Sequence, residues 1–376
     1  MTARRFGLII NPIAGMGGAS GLKGTDGAGA LAEAVRRGAV PVSGERVAQA
    51  LAQVPFELRA ANVLAAGGAM GEDAARAAGF HTARIMDVPP ESRSEHTIEA
   101  ATRMESSGAG FIVFAGGDGT ARDIHSVIGE RLPMLGIPTG VKMQSGVFAT
   151  SAVAAGRLIA RLLSADPAVK LRYQAAEVMD IDESEYRAGR IMPRLYGYAR
   201  VPAERLLLQQ AKSRAVFDDD AAIAAAAATI AADLQPGVSY IIGPGRSAKQ
   251  VLKVLGLEGC LLGVDVVRNG ELVGSDLPAD GIRALTAGTP IRIIAGVTGM
   301  QGFLFGRGNQ QIAPDILARA GRTGVIVIAG IRKLSALDPP RLLVDTGDPE
   351  VDQQLSGHVR VCCDAGRWTV MRIAAG

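Results

Sequence analysis

The stretch from Phe111 to Ile124, FIVFAGGDGTARDI, sets two glycines, an acid, a third glycine and a threonine between an apolar run and a helix start. Gly116, Gly117 and Gly119 let backbone N–H groups approach anionic oxygens, and a helix N-terminus adds a favourable dipole. Asp118 among those glycines, with Thr120 closing the motif, suits phosphoryl transfer. Such an acid can orient or deprotonate an attacking hydroxyl, or hold the Mg2+ that bridges phosphates. The run is neither a G-x-G-x-x-G fingerprint nor a Walker loop, since no Gly-Lys-Ser/Thr follows. A plain Asp-Gly turn after a strand is the competing reading.

Other residues offer weaker chemistry. Lys23 and Thr25 lie in a glycine-rich loop, Asn11 to Gly29, and could clamp a donor phosphate or simply be solvated. Lys142 and Ser145 follow a strand end, where open α/β sheets bind ligands; local hydroxyls capping a helix explain them equally well. Arg307 and Asn309, in GRGNQ, could hold a phosphate or form a tight turn with an exposed arginine. Asp180 and Asp182 share one face of a strand, as a metal pair or, more simply, an exposed acidic edge. Asp345 to Asp348 reads as an Asp-initiated turn. His125 alone on the next helix is a weak signal. Cys260, Cys362, Cys363 and four scattered histidines match no metal-ligand spacing, so no protein metal site is expected.

Elements that could position these groups alternate along the first part of the chain. Phe6–Ile10, Asn62–Ala66, Ala83–Val88, Phe111–Ala115 and Pro133–Ile137 read as strands. Arg46–Val54, Gly71–Ala78, Glu95–Met104 and Ala121–Ile128 read as helices. This alternation implies a parallel sheet covered on both faces. Beyond it, Ala175–Tyr186 alternates like a strand, and Asp218 to Asp220 precede an alanine-rich helix. Ser239–Ile242 is a strand before the helix Ala248–Leu255. Short β-rich runs follow: Leu261–Val267, Ile291–Ile294, Gly324–Ile328, Leu342–Val344, Val359–Cys363 and Trp368–Ile373. Two domains are expected, residues 1–150 and 151–376, with the extreme C-terminus able to return to the first.

Composition narrows the partners. The net charge of +3 and 4% aromatic residues argue against a polybasic or base-stacking nucleic-acid binder. Hydrophobic residues at 48% support a sizeable core. No run reaches the length of a membrane span, and the apolar run ending at Asn11-Pro12 is too short for a signal peptide. A cytoplasmic protein with reduced thiols, binding no membrane and no nucleic acid, is expected.

Taken together, the chain resembles the NAD kinase and diacylglycerol kinase superfamily, nearest the ATP-NAD kinase-like branch that includes the X-type protein of acetoin-catabolism clusters. The resemblance rests on Gly-Gly-Asp-Gly-Thr at 116–120 and Asn11-Pro12 after the first strand. It also rests on NPIAGMGGASGLKGTDGAG at 11–29, GVKMQSGVFA at 140–149, YIIGPG at 240–245 and GFLFGRGNQQ at 302–311. It implies an α/β fold: a Rossmann-like N-terminal domain and a β-rich C-terminal domain, with the nucleotide cleft between them. It implies phosphoryl transfer from ATP or polyphosphate to the 2′-hydroxyl of NAD, with Mg2+ or another divalent cation. Homodimers or homotetramers are implied too. Asp118 matches the acid at the reacting hydroxyl, and Gly116, Gly117, Gly119 and Thr120 match the phosphate loop. Asn11, Lys23, Lys142, Ser145, Glu177, Gly243, Gly245, Ser247, Arg307 and Asn309 fall on matching stretches and are implied at the nucleotide site. Arg246 replaces the usual threonine or serine, where it either adds charge to a phosphate site or blocks the usual ligand. Ala176 stands where many relatives have asparagine before the glutamate. Those departures leave room for another small-molecule hydroxyl acceptor, or for a regulator that binds nucleotide without turnover.

Overall fold

A computed structural model of the chain describes residues 5–16, 34–36, 39–89, 91–139, 143–164, 172–181, 193–204, 220–298 and 302–376. It divides into two compact units. The first contains, in order, β1 (Arg5–Ile10), α1 (Ser43–Ala52), β2 (Asn62–Ala66), α2 (Glu72–Ala77), β3 (His81–Met86) and α3 (Ser94–Ser106). It continues with β4 (Ile112–Gly116), α4 (Asp118–Ile128), β5 (Met134–Pro138), α5 (Ala152–Leu163), β6 (Tyr173–Ile181) and β7 (Pro193–Pro202). The first unit continues past the join expected near residue 150, as far as Ala211, so α5, β6 and β7 all group with it.

Five parallel strands form the first sheet in the order β3-β2-β1-β4-β5. Burial on both faces explains their nearly continuous apolar runs. Helices α1 and α5 pack together, as do α3 and α4. Gly156 in α5 permits this closeness, because a Cβ there would collide with the Ala50 carbonyl of α1. Phe6 stacks on Phe111 with centroids 5.2 Å apart and meets Phe80 edge-on at 5.8 Å. Strand order reverses between β1 and β4. In doubly wound sheets, ligands bind outside the carboxyl ends of the strands at that reversal. Asn11 follows β1 and Gly117 follows β4, so both sit at that reversal. The antiparallel pair β6–β7 forms a separate two-stranded sheet.

The second unit begins with α6 (Asp220–Ala232), β8 (Ser239–Ile242), α7 (Arg246–Val254), β9 (Asp265–Arg268), β10 (Glu271–Gly274) and α8 (Ala279–Leu285). It continues with β11 (Ile291–Gly296), β12 (Phe303–Phe305), α9 (Pro314–Ala320), β13 (Val325–Ile328), α10 (Ile331–Ser335) and β14 (Arg341–Val344). It ends with α11 (Pro349–Leu355), β15 (Gly357–Asp364) and β16 (Arg367–Ala375). The unit is β-rich, built on one nine-stranded sheet. Its β-run pattern concealed a feature of its centre: β8, β11, β13 and β15 are parallel neighbours. Alternate residues of these strands face opposite layers. Ile241, Ile293, Val327 and Val361 pack with α8 to α11, whereas Ile242, Ile294, Ile328 and Cys362 pack with α6 and α7. The C-terminal strand β16 pairs with β15 and β14 inside this unit.

Candidate functional site

Asp118 is the first residue of α4, not part of a loop ahead of a helix at Ala121. Gly117 is extended (φ −106°, ψ −166°) and its carbonyl accepts the Ala121 N–H at 3.1 Å, so the helix starts three residues earlier than the sequence suggests. An acid in the first turn complements the helix dipole. The opposite end stops at Gly129, whose φ of 53° favours glycine.

The Asp118 carboxylate is 5% exposed. Its Oδ1 accepts the Ser145 N–H at 3.0 Å and the Ser145 hydroxyl at 2.6 Å, and Oδ2 accepts the Gln144 N–H at 2.6 Å. Two carboxylate oxygens offer about four lone-pair sites. Three are occupied among the described residues, which leaves one at Oδ2. Burial pushes the carboxyl up to about 7, against the opposing pull of the Ser145 hydroxyl and the Gln144 and Ser145 amides; Asp180 adds to the rise. A base poised near neutrality is what proton abstraction from an alcohol needs.

Ser145 also holds β6: its Oγ accepts the Met179 N–H at 2.9 Å and lies 2.8 Å from the Met179 carbonyl, which competes with Asp118 for the single hydroxyl hydrogen. Ser145→Ala is expected to cost about 1–3 kcal/mol by orphaning the buried Met179 N–H, read by denaturant titration. The lost hydroxyl had favoured the charged carboxylate, so the Asp118 titration moves further up.

Asn11 comes to the same place: its Nδ2 lies 3.4 Å from Thr120 Oγ1, and its Oδ1 accepts the Ile13 N–H at 3.3 Å. The motif glycines differ in purpose. A Cβ on Gly116 would lie 2.6 Å from Thr120 Cβ, so the fold itself requires that glycine. A Cβ on Gly117 would meet nothing within 4 Å among the described residues, and its φ suits any residue. Gly119 is nearly as open, with only Arg122 Nη2 at 3.9 Å. Packing among the described residues requires glycine at neither position.

Family models match this chain in both halves: the ATP-NAD kinase N-terminal domain over residues 6–166 and the ATP-NAD kinase C-terminal domain over residues 236–371. The chain belongs to the ATP-NAD kinase family. No curated protein and no solved structure matches it. Membership makes it a kinase-type phosphotransferase, with the glycine-flanked acid at the end of β4 inside the N-terminal match.

Within this family member, the remaining expected site residues divide. Glu177 is half-buried on β6, and its carbonyl accepts the Gly146 N–H at 2.9 Å, which places it beside the Asp118 loop. Its neighbour Ala176 is buried and brings no amide group. Lys23, Lys142 and Asp182 lie outside the described residues. Asp180 is no bare acidic edge: Arg122 Nη1 binds it at 2.6 Å, while Nη2 of the same arginine pairs with Asp123 at 3.0 Å. His125 bonds the Tyr198 carbonyl at 2.9 Å across to β7. Gln144 and Arg122 lie within quoted motifs but carry no local mark of their tasks: Gln144 is revealed by the chain after β5 folding onto α4, and Arg122 by β6 bringing Asp180 to it.

In the second unit, Gly243 and Gly245 follow β8, and Gly245 has a φ of 99°. Arg246 starts α7 and is exposed, with half-buried Ser247 beside it. A Cβ on Gly296, at the end of β11, would lie 3.6 Å from Ser247 Cβ. Helix α7 covers one face after β8, while the chain after β11 leads to α9 on the other. Gly243, Gly245, Arg246 and Ser247 therefore also stand at a carboxyl-end switch point. Lys249 is not available to a ligand: it pairs with buried Asp265 at 2.6 Å and anchors α7.

Arg307 and Asn309, expected as a phosphate grip, are both engaged by the protein itself. Arg307 is 4% exposed, pairs with buried Asp345 at 2.7 Å and stacks over Phe303 at 4.8 Å. Its charge is neutralised inside the fold. The Asn309 amide is spent on its own turn, donating to the Leu304 carbonyl at 2.8 Å and accepting the Gly306 N–H at 3.0 Å.

Proposed function

We propose that this kinase transfers a phosphoryl group from ATP, or from polyphosphate, to the 2′-hydroxyl of the adenosine ribose of NAD, giving NADP. The observation that carries the reading is the single open lone-pair site on Asp118, a buried carboxylate held near neutrality at a helix N-terminus. Asp118 Oδ2 takes the proton from the sugar hydroxyl. The alkoxide oxygen forms the new P–O bond as the bond to the leaving phosphate breaks, and ADP, or the polyphosphate shortened by one unit, departs with the electron pair. Bare backbone at Gly117 and Gly119 receives the donor phosphates.

A divalent cation such as Mg2+ would neutralise charge on those phosphates. Among the described residues no group of three acidic, histidine or cysteine side chains could hold it, and Asp123 and Asp180 are already paired with Arg122. Donor oxygens and water would thus be its main ligands, as is usual for Mg2+.

Purified protein incubated with NAD, Mg2+ and either ATP or tripolyphosphate should form NADP, detected with an NADP-specific dehydrogenase. Formation of labelled product only with another alcohol would replace NAD as acceptor, the outcome to which Ala176 points. No product with any donor or acceptor, despite nucleotide binding, would remove the catalytic reading.

The glycines give a sharper test. Gly117→Ala is expected to leave stability within about 0.5 kcal/mol, because the new methyl meets nothing. It should raise the KM for the phosphate donor about tenfold. Gly116→Ala should instead cost about 1–3 kcal/mol by displacing Thr120. Equal effects of the two on folding would show that the bare backbone at 117 has no ligand to receive.

A further inference from the structure

The second unit contains a cavity of about 390 Å3 that the kinase reading does not use. It opens on the sheet face that carries α6. Arg292 lines it from β11, Arg322 and Thr323 from the turn ahead of β13, and His358 and Arg360 from β15; Trp368 of β16 and Asp233 after α6 complete the polar lining. Ile326 is part of an apolar floor. A space of this size lies within the range of about 300–1,000 Å3 found for small-molecule sites.

Its charge is unbalanced. Three arginines and one aspartate line it, a formal excess of two positive charges, and Arg322, His358 and Arg360 are exposed to solvent. Among the described residues neither Arg292 nor Arg360 has a carboxylate partner. Two cations are held in place by other means. The Arg360 guanidinium lies 4.6 Å over the Trp368 ring, and Arg322 donates to the Ser356 carbonyl above Gly357, where any Cβ would collide with it. Fixed guanidiniums lose little freedom when they bind an anion.

We propose that this cavity is a second ligand site, for a small phosphomonoester with a flat apolar body. A phosphomonoester carries nearly two negative charges at neutral pH, matching the excess. Guanidiniums arriving from three separate elements suit its three terminal oxygens better than the planar fork of a carboxylate. The flat body would lie on the Ile326 floor beside Trp368. The proposal does not depend on the acceptor or donor of the kinase reaction.

Trp368 is the chain's single tryptophan, so its fluorescence reports on this cavity directly. Titration of the full chain with phenyl phosphate should give a saturable fluorescence change. Arg292→Gln and Arg360→Gln should each weaken it about tenfold, the loss of one charge-assisted contact. Asp118→Asn should bind as wild type, which separates this site from the kinase site. Arg322→Gln lies on an exposed turn and gives the same reading if a strand variant fails to fold. No saturable change, or wild-type affinity in Arg322→Gln, would overturn the proposal. Phthalate binding as tightly as phenyl phosphate would overturn the phosphomonoester assignment, and inorganic phosphate doing so would overturn the apolar body.

Discussion

Asp118→Asn is expected to lower phosphoryl transfer about 10³-fold while the protein still melts cooperatively, the usual scale for losing a positioned base. An amide has the carboxylate's shape and one carbonyl oxygen that can still accept from Ser145, but it cannot take a proton. The wild-type rate carries a second signature. Burial pushes the Asp118 carboxyl up to about 7. Below that pH the group is protonated and cannot act as base; above it the carboxylate is present. The rate at saturating substrate should therefore climb with pH through about 7 and level off, and the residual rate of Asp118→Asn should lack that climb. Ser145→Ala should move the climb to higher pH, since the Ser145 hydroxyl favours the charged form. Steady-state rates between pH 5.5 and 9, roughly, decide it. A flat wild-type profile, or near-wild-type turnover by Asp118→Asn, would leave the carboxylate with an architectural role only.

Asp118 was legible in the sequence as a candidate because everything that marks it is local. A buried strand, two glycines and a helix start lie within a few residues of Asp118, and each carries its own pattern. The first sheet was legible for the same reason: parallel strands buried on both faces read as unbroken apolar runs. Ser145 was visible as a candidate past a strand end, but its task was not. That task comes from the chain returning over α4 and from β6 arriving at Met179. Arg307 shows the opposite failure. An arginine among glycines reads as an anion ligand until its partner is known, and Asp345 arrives on the loop after β14, a parallel neighbour of β12. Its own local pattern spelled a turn. Likewise α5 and β7 escaped notice, the first hidden in an alanine-rich stretch without punctuation, the second in a run of mixed arginines and tyrosines.

Asp345→Ala should destabilise the second unit by about 3–5 kcal/mol, the scale for leaving one charge of a buried pair uncompensated. Arg307 is 4% exposed and its partner 2%, so water cannot replace the carboxylate. The site has no slack either: a Cβ on Gly306 would collide with the Asp345 carbonyl, so the two loops are locked backbone to backbone. Replacing both partners, Arg307→Met with Asp345→Leu, should recover most of the loss, because two apolar side chains restore the packing without the desolvated charges. Denaturant titration of the single and double variants measures the difference. The same experiment separates two roles for the arginine. If the pair is structural, donor KM in the double variant stays near the wild-type value once stability is restored. If Arg307 holds a phosphate, the double variant folds yet loses donor affinity, and Asp345→Ala, which frees the guanidinium, tightens it.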